Sequence, residues 1–193
     1  MVVAFNIAAV GLAADFCTKV AALAWLDPAH PIRLLGGLVT LRLLRNPGAA
    51  FSMGENATPL FTVFAIAALI GVFGWMLPRV RHKGWAVATG LLIAGIAGNL
   101  IDRLSREPGP FYGQVIDFIE LPYFAVFNVA DMCITGAAVL IIWFSVVKQI
   151  GLNGKRMAAK GEAEPVSGPE SGAGAAEEVD ESAREEAREP GDA

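Results

Sequence analysis

The sequence predicts an α-helical integral membrane protein: a four-transmembrane-helix bundle with a small extracytoplasmic β-platform and a disordered C-terminal tail. Three observations carry that expectation. First, 54% of the 193 residues are hydrophobic and mean hydropathy is +0.51. The apolar residues fall in four runs, 2–26, 59–77, 85–101 and 124–147, each close to the ~20 residues that cross hydrocarbon as a helix. Second, the loop 27–58 is long for a plain connector and holds a β-former-rich stretch at 38–44, LVTLRLL, which reads as a short strand. Third, the formal charge of −4 joins two unlike parts: residues 1–160 carry 13 Lys/Arg against 8 Asp/Glu, and residues 161–193 carry 2 against 11. A membrane domain at 1–150 is therefore followed by a mostly acidic tail at 151–193, with too few large apolar side chains to bury a core.

The first run keeps its place as a spanning helix. No Lys or Arg precedes it, and Asp15 and Lys19 interrupt its second half, which does not fit a cleaved leader. Gly11, Asp15 and Lys19 recur every fourth residue, so the two charges share a face and can pair. The turn signal Asn46-Pro47-Gly48 follows the expected strand, and the small residues Gly48, Ala49 and Ala50 leave room for another chain. That stretch reads either as a hairpin turn in a flap or as a platform over a site, with Asn46 supplying an amide.

The second run carries no charge and reads as scaffold. The short loop after it, PRVRHKG at 78–84, holds Arg79, Arg81 and Lys83, a density that marks the cytoplasmic side. In the third run Gly90, Ala94, Gly98 and Asp102 recur every fourth residue, as do Gly95, Asn99 and Arg103. Small residues on one face let helices pack closely in lipid, and here they lead into the polar cluster Asn99, Asp102 and Arg103. Asp117 comes next, within the apolar set VIDFI, as a loop acid or helix cap just ahead of the fourth run. In that run Asn128, Asp131 and Thr135 fall on one face. A carboxylate inside a spanning helix costs roughly 2.5–3.5 kcal/mol, so Asp131 is a candidate for function.

Four spans return both termini to one side, where the basic residues of 79–83 and those after 147 place the cytoplasm. Asp15, Lys19, Asn99, Asp102, Arg103, Asn128 and Asp131 then all lie toward the outer ends of their helices, level with Asp117. Two carboxyls held close in a poorly solvated place share a proton and titrate as a unit, which is the arrangement of an aspartic protease. Cys17 and Cys133 are isolated, and the lone histidines His30 and His82 offer no ligand set. The expectation is a hydrolase with no metal, no cofactor and no nucleic-acid partner.

Five blocks, DFCTK at 15–19, NPGAAFS at 46–52, GNLIDR at 98–103, VIDFI at 115–119 and FNVAD at 127–131, resemble in order and spacing the motif series of bacterial lipoprotein signal peptidase (signal peptidase II). The resemblance spans about residues 5–148. It implies an intramembrane aspartic peptidase of the bacterial plasma membrane that cleaves diacylglyceryl-modified prolipoproteins before the lipobox cysteine. It also implies catalytic roles for Asp117 and Asp131 and supporting or substrate-facing roles for Asp15, Lys19, Asn46, Asn99, Arg103 and Asn128. Phe16 and Pro47 depart from the pattern, and the connection from Asp102 to Asp117 is longer. Two other readings stand beside it: a membrane protease with Ser52 as nucleophile and Lys19 as base, and a proton- or ion-coupled carrier using the buried aspartates as relays.

Overall fold

The computed structural model describes residues 1–48 and 58–156. Helix α1 (Val2–Trp25) is followed by strands β1 (Ile32–Leu34) and β2 (Val39–Asn46). Helix α2 (Thr58–Gly71) continues through a π turn and a 3-10 turn to Arg79. Helix α3 (Lys83–Ser105), strand β3 (Val115–Glu120) and helix α4 (Val129–Ile142), extended by a π turn to Val147, complete the described chain. All four helices are long and apolar enough to cross a membrane.

Helix α3 is the hub, because its sequence is small on several sides at once. Of the four spans it is the most buried. A Cβ at Gly98 would sit 2.6 Å from the Asp15 carboxylate, and one at Gly95 would meet the backbone oxygen of Ala130, so α1 and α4 both approach the α3 backbone. The buried residues of α1 are Ala4, Ala8, Asp15, Lys19 and Ala22, one face that combines small side chains with the two charges. The outward faces carry the bulk: Phe5, Val10, Phe64, Ile70, Val139 and Ile142 are exposed, as lipid-facing side chains are.

The platform is an antiparallel sheet in the order β1-β2-β3. The expected strand at 38–44 is present, longer by two residues at its C-terminal end. β1 and β3 were not legible as strands. β1 has only three residues, all exposed, and β3 buries its first four residues in succession, which removes the alternation by which a strand is read. Asp117 therefore sits on a strand and not in a loop. β2 and β3 pair Leu44 with Asp117 and Asn46 with Val115, with an irregularity between Leu41 and Leu44.

Two boundaries also move. The fourth span begins at Val129 and not at residue 124, because Asn128 caps the helix, while Phe127 pairs with Ile119 as an added bridge beside β3. Asn128 is thus a cap residue and not part of a helical face. Residues 151–156, assigned to the tail on sequence, fold back instead, with Ile150 bridged to Arg156 and Leu152 packed on the core. Ser52, the Ala49-Ala50 pair and the acidic stretch 161–193 lie outside the described residues.

The close approach at Gly95 gives a test. Gly95→Leu would push α3 from α4 and should cost about 1–3 kcal/mol, as overpacking does, seen as a lower Tm in detergent. Gly74→Leu, with nothing within 4 Å of the added Cβ, should leave Tm nearly unchanged. Equal effects from the two would contradict this packing.

Candidate active site

Asp117 and Asp131 are brought together by one residue, Asn128. The Asn128 side-chain Nδ2 donates to Asp117 Oδ1 at 2.6 Å, and its backbone N–H donates to Asp131 Oδ2 at 3.1 Å. The Asp131 N–H donates back to Asn128 Oδ1 at 3.0 Å, which closes the capping box that starts α4. Local helix-start chemistry thereby fixes one carboxyl, and the same side chain reaches across to the other.

Two more asparagines complete the cradle. Asn99 Nδ2 donates to Asp131 Oδ1 at 2.7 Å, and Asn99 Oδ1 accepts from Asn128 Nδ2 at 3.2 Å and from Lys19 Nζ at 3.1 Å. Asn46 Nδ2 donates to Asp117 Oδ2 at 2.8 Å, and its own Oδ1 accepts the Gly48 N–H at 2.8 Å. The platform expected on sequence thus delivers Asn46 to the site from the end of β2. Asp117 is 1% exposed, while Asp131 is half-buried.

Burial pushes the Asp117 carboxyl up to about 6 from its ordinary 3.8, and the nearby Asp131 charge adds to the rise. Asn46, Asn128 and Lys19 pull the other way without cancelling it. Both carboxyl oxygens of Asp117 are hydrogen-bonded to amides.

Beneath the cradle lies a buried ion cluster. Lys19 Nζ is 2.8 Å from Asp15 Oδ2 and 2.8 Å from Asp102 Oδ2. The remaining oxygen of Asp15 accepts the Ala130 N–H at 2.8 Å. Asp102 Oδ2 also accepts the Ile116 N–H at 3.3 Å, and its Oδ1 is bound by Arg106 Nε. Ala130 and Ile116 are the residues immediately before Asp131 and Asp117. The cluster therefore holds the backbone on the N-terminal side of each candidate carboxyl.

Asp102 and its neighbour Arg103, grouped in one polar cluster on sequence, take different partners. Adjacent helical residues point about 100° apart, and Asp102 pairs instead with Arg106 one turn on and with Lys19. Arg106 was missed on sequence, though its four-residue spacing from Asp102 was a usable signal. Arg103 turns to the other side, over the Phe61 ring at 5.6 Å, near enough to Asp117 and Asp131 for its charge to act on both. Its Nη1 is buried with no hydrogen-bond partner among the described residues. Phe61 and Thr62 were likewise not singled out; Thr62 Oγ1 donates to the Phe111 backbone oxygen at 2.9 Å and ties α2 to the loop before β3.

Four spanning helices with a polar, carboxyl-bearing cradle under a small sheet define a multi-pass membrane enzyme. The sequence profile of the family described as signal peptidase (SPase) II matches residues 7–147. A lipoprotein signal peptidase of Mycobacterium avium (strain 104) is 43% identical over 141 residues, 73% of this chain and 77% of that protein. One from Rhodococcus jostii (strain RHA1) is 43% identical over 74% of this chain and 72% of that protein. Among solved structures, a bacterial membrane enzyme determined by the in meso method at 1.9 Å superposes with a TM-score of 0.65 at 26% identity, over 74% of this chain and 92% of that one. The chain belongs to the signal peptidase II family, a family of membrane proteases.

The raised Asp117 titration has a stability consequence. A folded carboxyl that titrates near 6 contributes stability that is fully present below about pH 4 and is lost as pH rises through 6, about 3 kcal/mol in all. Asp117→Asn removes that loss, so its Tm should fall less, or rise more, than the parent's between pH 4 and pH 7. Parallel Tm-against-pH curves for the two proteins would show that Asp117 titrates at its ordinary value.

Proposed function

We propose that this protein is an aspartic endopeptidase that removes the signal peptide from diacylglyceryl-modified prolipoproteins, with Asp117 and Asp131 as the catalytic pair. The observation that supports it best is that Asn128 hydrogen-bonds both carboxyls, one by its side chain and one by its backbone. Two carboxyls held this way share a proton, and the elevated Asp117 titration keeps that proton in the site toward neutral pH. One carboxylate takes a proton from water, and the water oxygen attacks the scissile carbonyl carbon. The protonated partner donates a hydrogen bond to the carbonyl oxygen. The tetrahedral intermediate collapses as the C–N bond breaks, and the proton passes to the leaving amine.

The remaining residues take supporting roles. Asn46, Asn99 and Asn128 fix the carboxyl orientations. Asp15 and Lys19 hold the backbone beneath them. Arg103, with a buried N–H still to be satisfied, faces the substrate backbone. Lys19 as a general base for Ser52 is disfavoured, because its amino group is already engaged by two carboxylates and an amide oxygen. A carrier is disfavoured because the buried carboxylates cluster at one end of the bundle. The candidate pair faces the extracytoplasmic side, and both termini are cytoplasmic, in keeping with Arg79, Arg81 and Lys83 at the opposite end.

Asp117→Asn and Asp131→Asn should each insert and remain monodisperse, yet cleave a diacylglyceryl-modified precursor at least ~10³-fold more slowly, the scale on which loss of a paired catalytic group is felt. Near-parental turnover by either variant would remove the assignment. Unlipidated precursor should also be cleaved far more slowly, since the acyl chains hold the scissile bond at membrane depth; equal rates on both substrates would reject that requirement.

A further inference from the structure

The end of the bundle away from the aspartates carries a second built feature. Between Trp85 and Asp102, α3 runs about 25 Å at 1.5 Å per residue, so this end lies at the other membrane surface. Here the chain after α4 turns back on itself. Gly151 N–H donates to the Lys155 oxygen and Gly154 N–H to the Gly151 oxygen, both at 2.9 Å, and Lys155 N–H donates to Asn153 Oδ1 at 2.9 Å. This turn is fastened to the α2–α3 connection. The Leu152 oxygen accepts the N–H groups of Arg81 at 2.9 Å and His82 at 3.4 Å, and the Ile150 oxygen accepts Trp85 Nε1 at 2.9 Å.

The fastening brings two basic segments, some seventy residues apart in the chain, to face each other. Between them is a cleft of about 580 Å³, lined by Arg79 and Arg81 on one side and by Lys155 and Arg156 on the other, with Pro78 and Leu152 among the remaining lining residues. Among the described residues no acidic side chain lines it, and no carboxylate pairs with any of the four cations. Scattered basic residues would satisfy a rule of charge distribution across the membrane; they would not require a hydrogen-bonded turn that concentrates four cations around one concavity. The level of the cleft is marked by two exposed tryptophans, each under a cation: Arg79 lies 5.2 Å over Trp75, and Lys148 lies 5.6 Å over Trp143. Such aromatic residues sit at headgroup depth.

We propose that this cleft binds the phosphate of an anionic phospholipid headgroup. Arginine forks match phosphate oxygens, and a basic pocket between spanning helices at the surface is the geometry in which anionic headgroups are held. The acyl chains would lie along the exposed apolar sides of α2 and α4, while the phosphodiester enters between Arg81 and Arg156. The site is independent of the proteolytic reading above.

The test uses the full chain in detergent, with native mass spectrometry to count bound phosphatidylglycerol, phosphatidylcholine or inorganic phosphate. Arg81→Gln combined with Arg156→Gln removes two exposed charges and leaves the backbone bonds in place. A second double variant, Arg33→Gln with Arg42→Gln, removes the same charge from the sheet at the other end. The parent should retain phosphatidylglycerol in preference to phosphatidylcholine, and the first double variant should weaken that retention by about thirtyfold, with the second close to the parent. Equal loss in both variants would mean diffuse attraction and overturn the site. Inorganic phosphate that binds as tightly as phosphatidylglycerol, and displaces it, would overturn the lipid assignment.

Discussion

A single ammonium group, Lys19, is the constraint on which the rest of the site depends. It is 1% exposed and lies between the carboxylates of Asp15 and Asp102. Burying these charges is costly unless every one is paired and hydrogen-bonded, and the structure meets that demand from four elements. Asp15 and Lys19 come from α1. Asp102, Asn99 and Arg106 come from α3 and the residue after it. Two backbone N–H groups, Ile116 and Ala130, come from β3 and the first turn of α4. Removing one partner would leave an uncompensated charge, an effect on the order of 3–5 kcal/mol. The cluster therefore fixes how α1, α3, β3 and α4 meet.

That demand explains the small residues. Asp15 can reach the Ala130 N–H only if α1 and α4 both come close to α3. Gly98 permits this because it has no Cβ to meet the Asp15 carboxylate. The Ala130 N–H is one of the donors that a helix start leaves unsatisfied within the helix, so Asp15 pairs its second oxygen with a group that also needed a partner. In hydrocarbon there is no water to fill either role. Close packing and charge pairing are here one requirement, met by the same four-residue spacing in α1 and α3.

The sequence showed the four spans, the convergence of the polar residues and the pairing of Asp15 with Lys19, because each is carried by a helical period that survives in lipid. It did not show β3, since a strand wedged between helices buries consecutive residues and loses its alternation. Asn128 was placed on a helical face when it is the cap; its spacing to Asp131 fits both descriptions, and only the extended backbone at 128 separates them. Asp102 was grouped with its neighbour Arg103 in a polar cluster without a named partner, although the four-residue rule points to Arg106. The folded turn at 150–156 was hidden because Ile150 and Leu152 are too few to make an apolar period, and it is held by backbone bonds that leave no compositional trace.

The charges of the site also divide in a way that bears on the proposed mechanism. In the lower cluster two carboxylates, Asp15 and Asp102, face two cations, Lys19 and Arg106, and the sum is neutral. In the cradle above, two carboxyls, Asp117 and Asp131, lie in the field of Arg103, and the Lys19 charge, already balanced in the lower cluster, also reaches Asp117. In a poorly solvated site the neutral total is favoured, and with one arginine present it is reached when the pair keeps a single proton. Two protons would leave Arg103 without a counter-charge, and none would leave an excess carboxylate beside the membrane. In the proposed mechanism the Arg103 charge would thus be balanced by a pair that keeps one proton for acid–base cleavage of the peptide bond. The buried Nη1 of Arg103, with no hydrogen-bond partner among the described residues, would in that mechanism be the group that meets a substrate carbonyl.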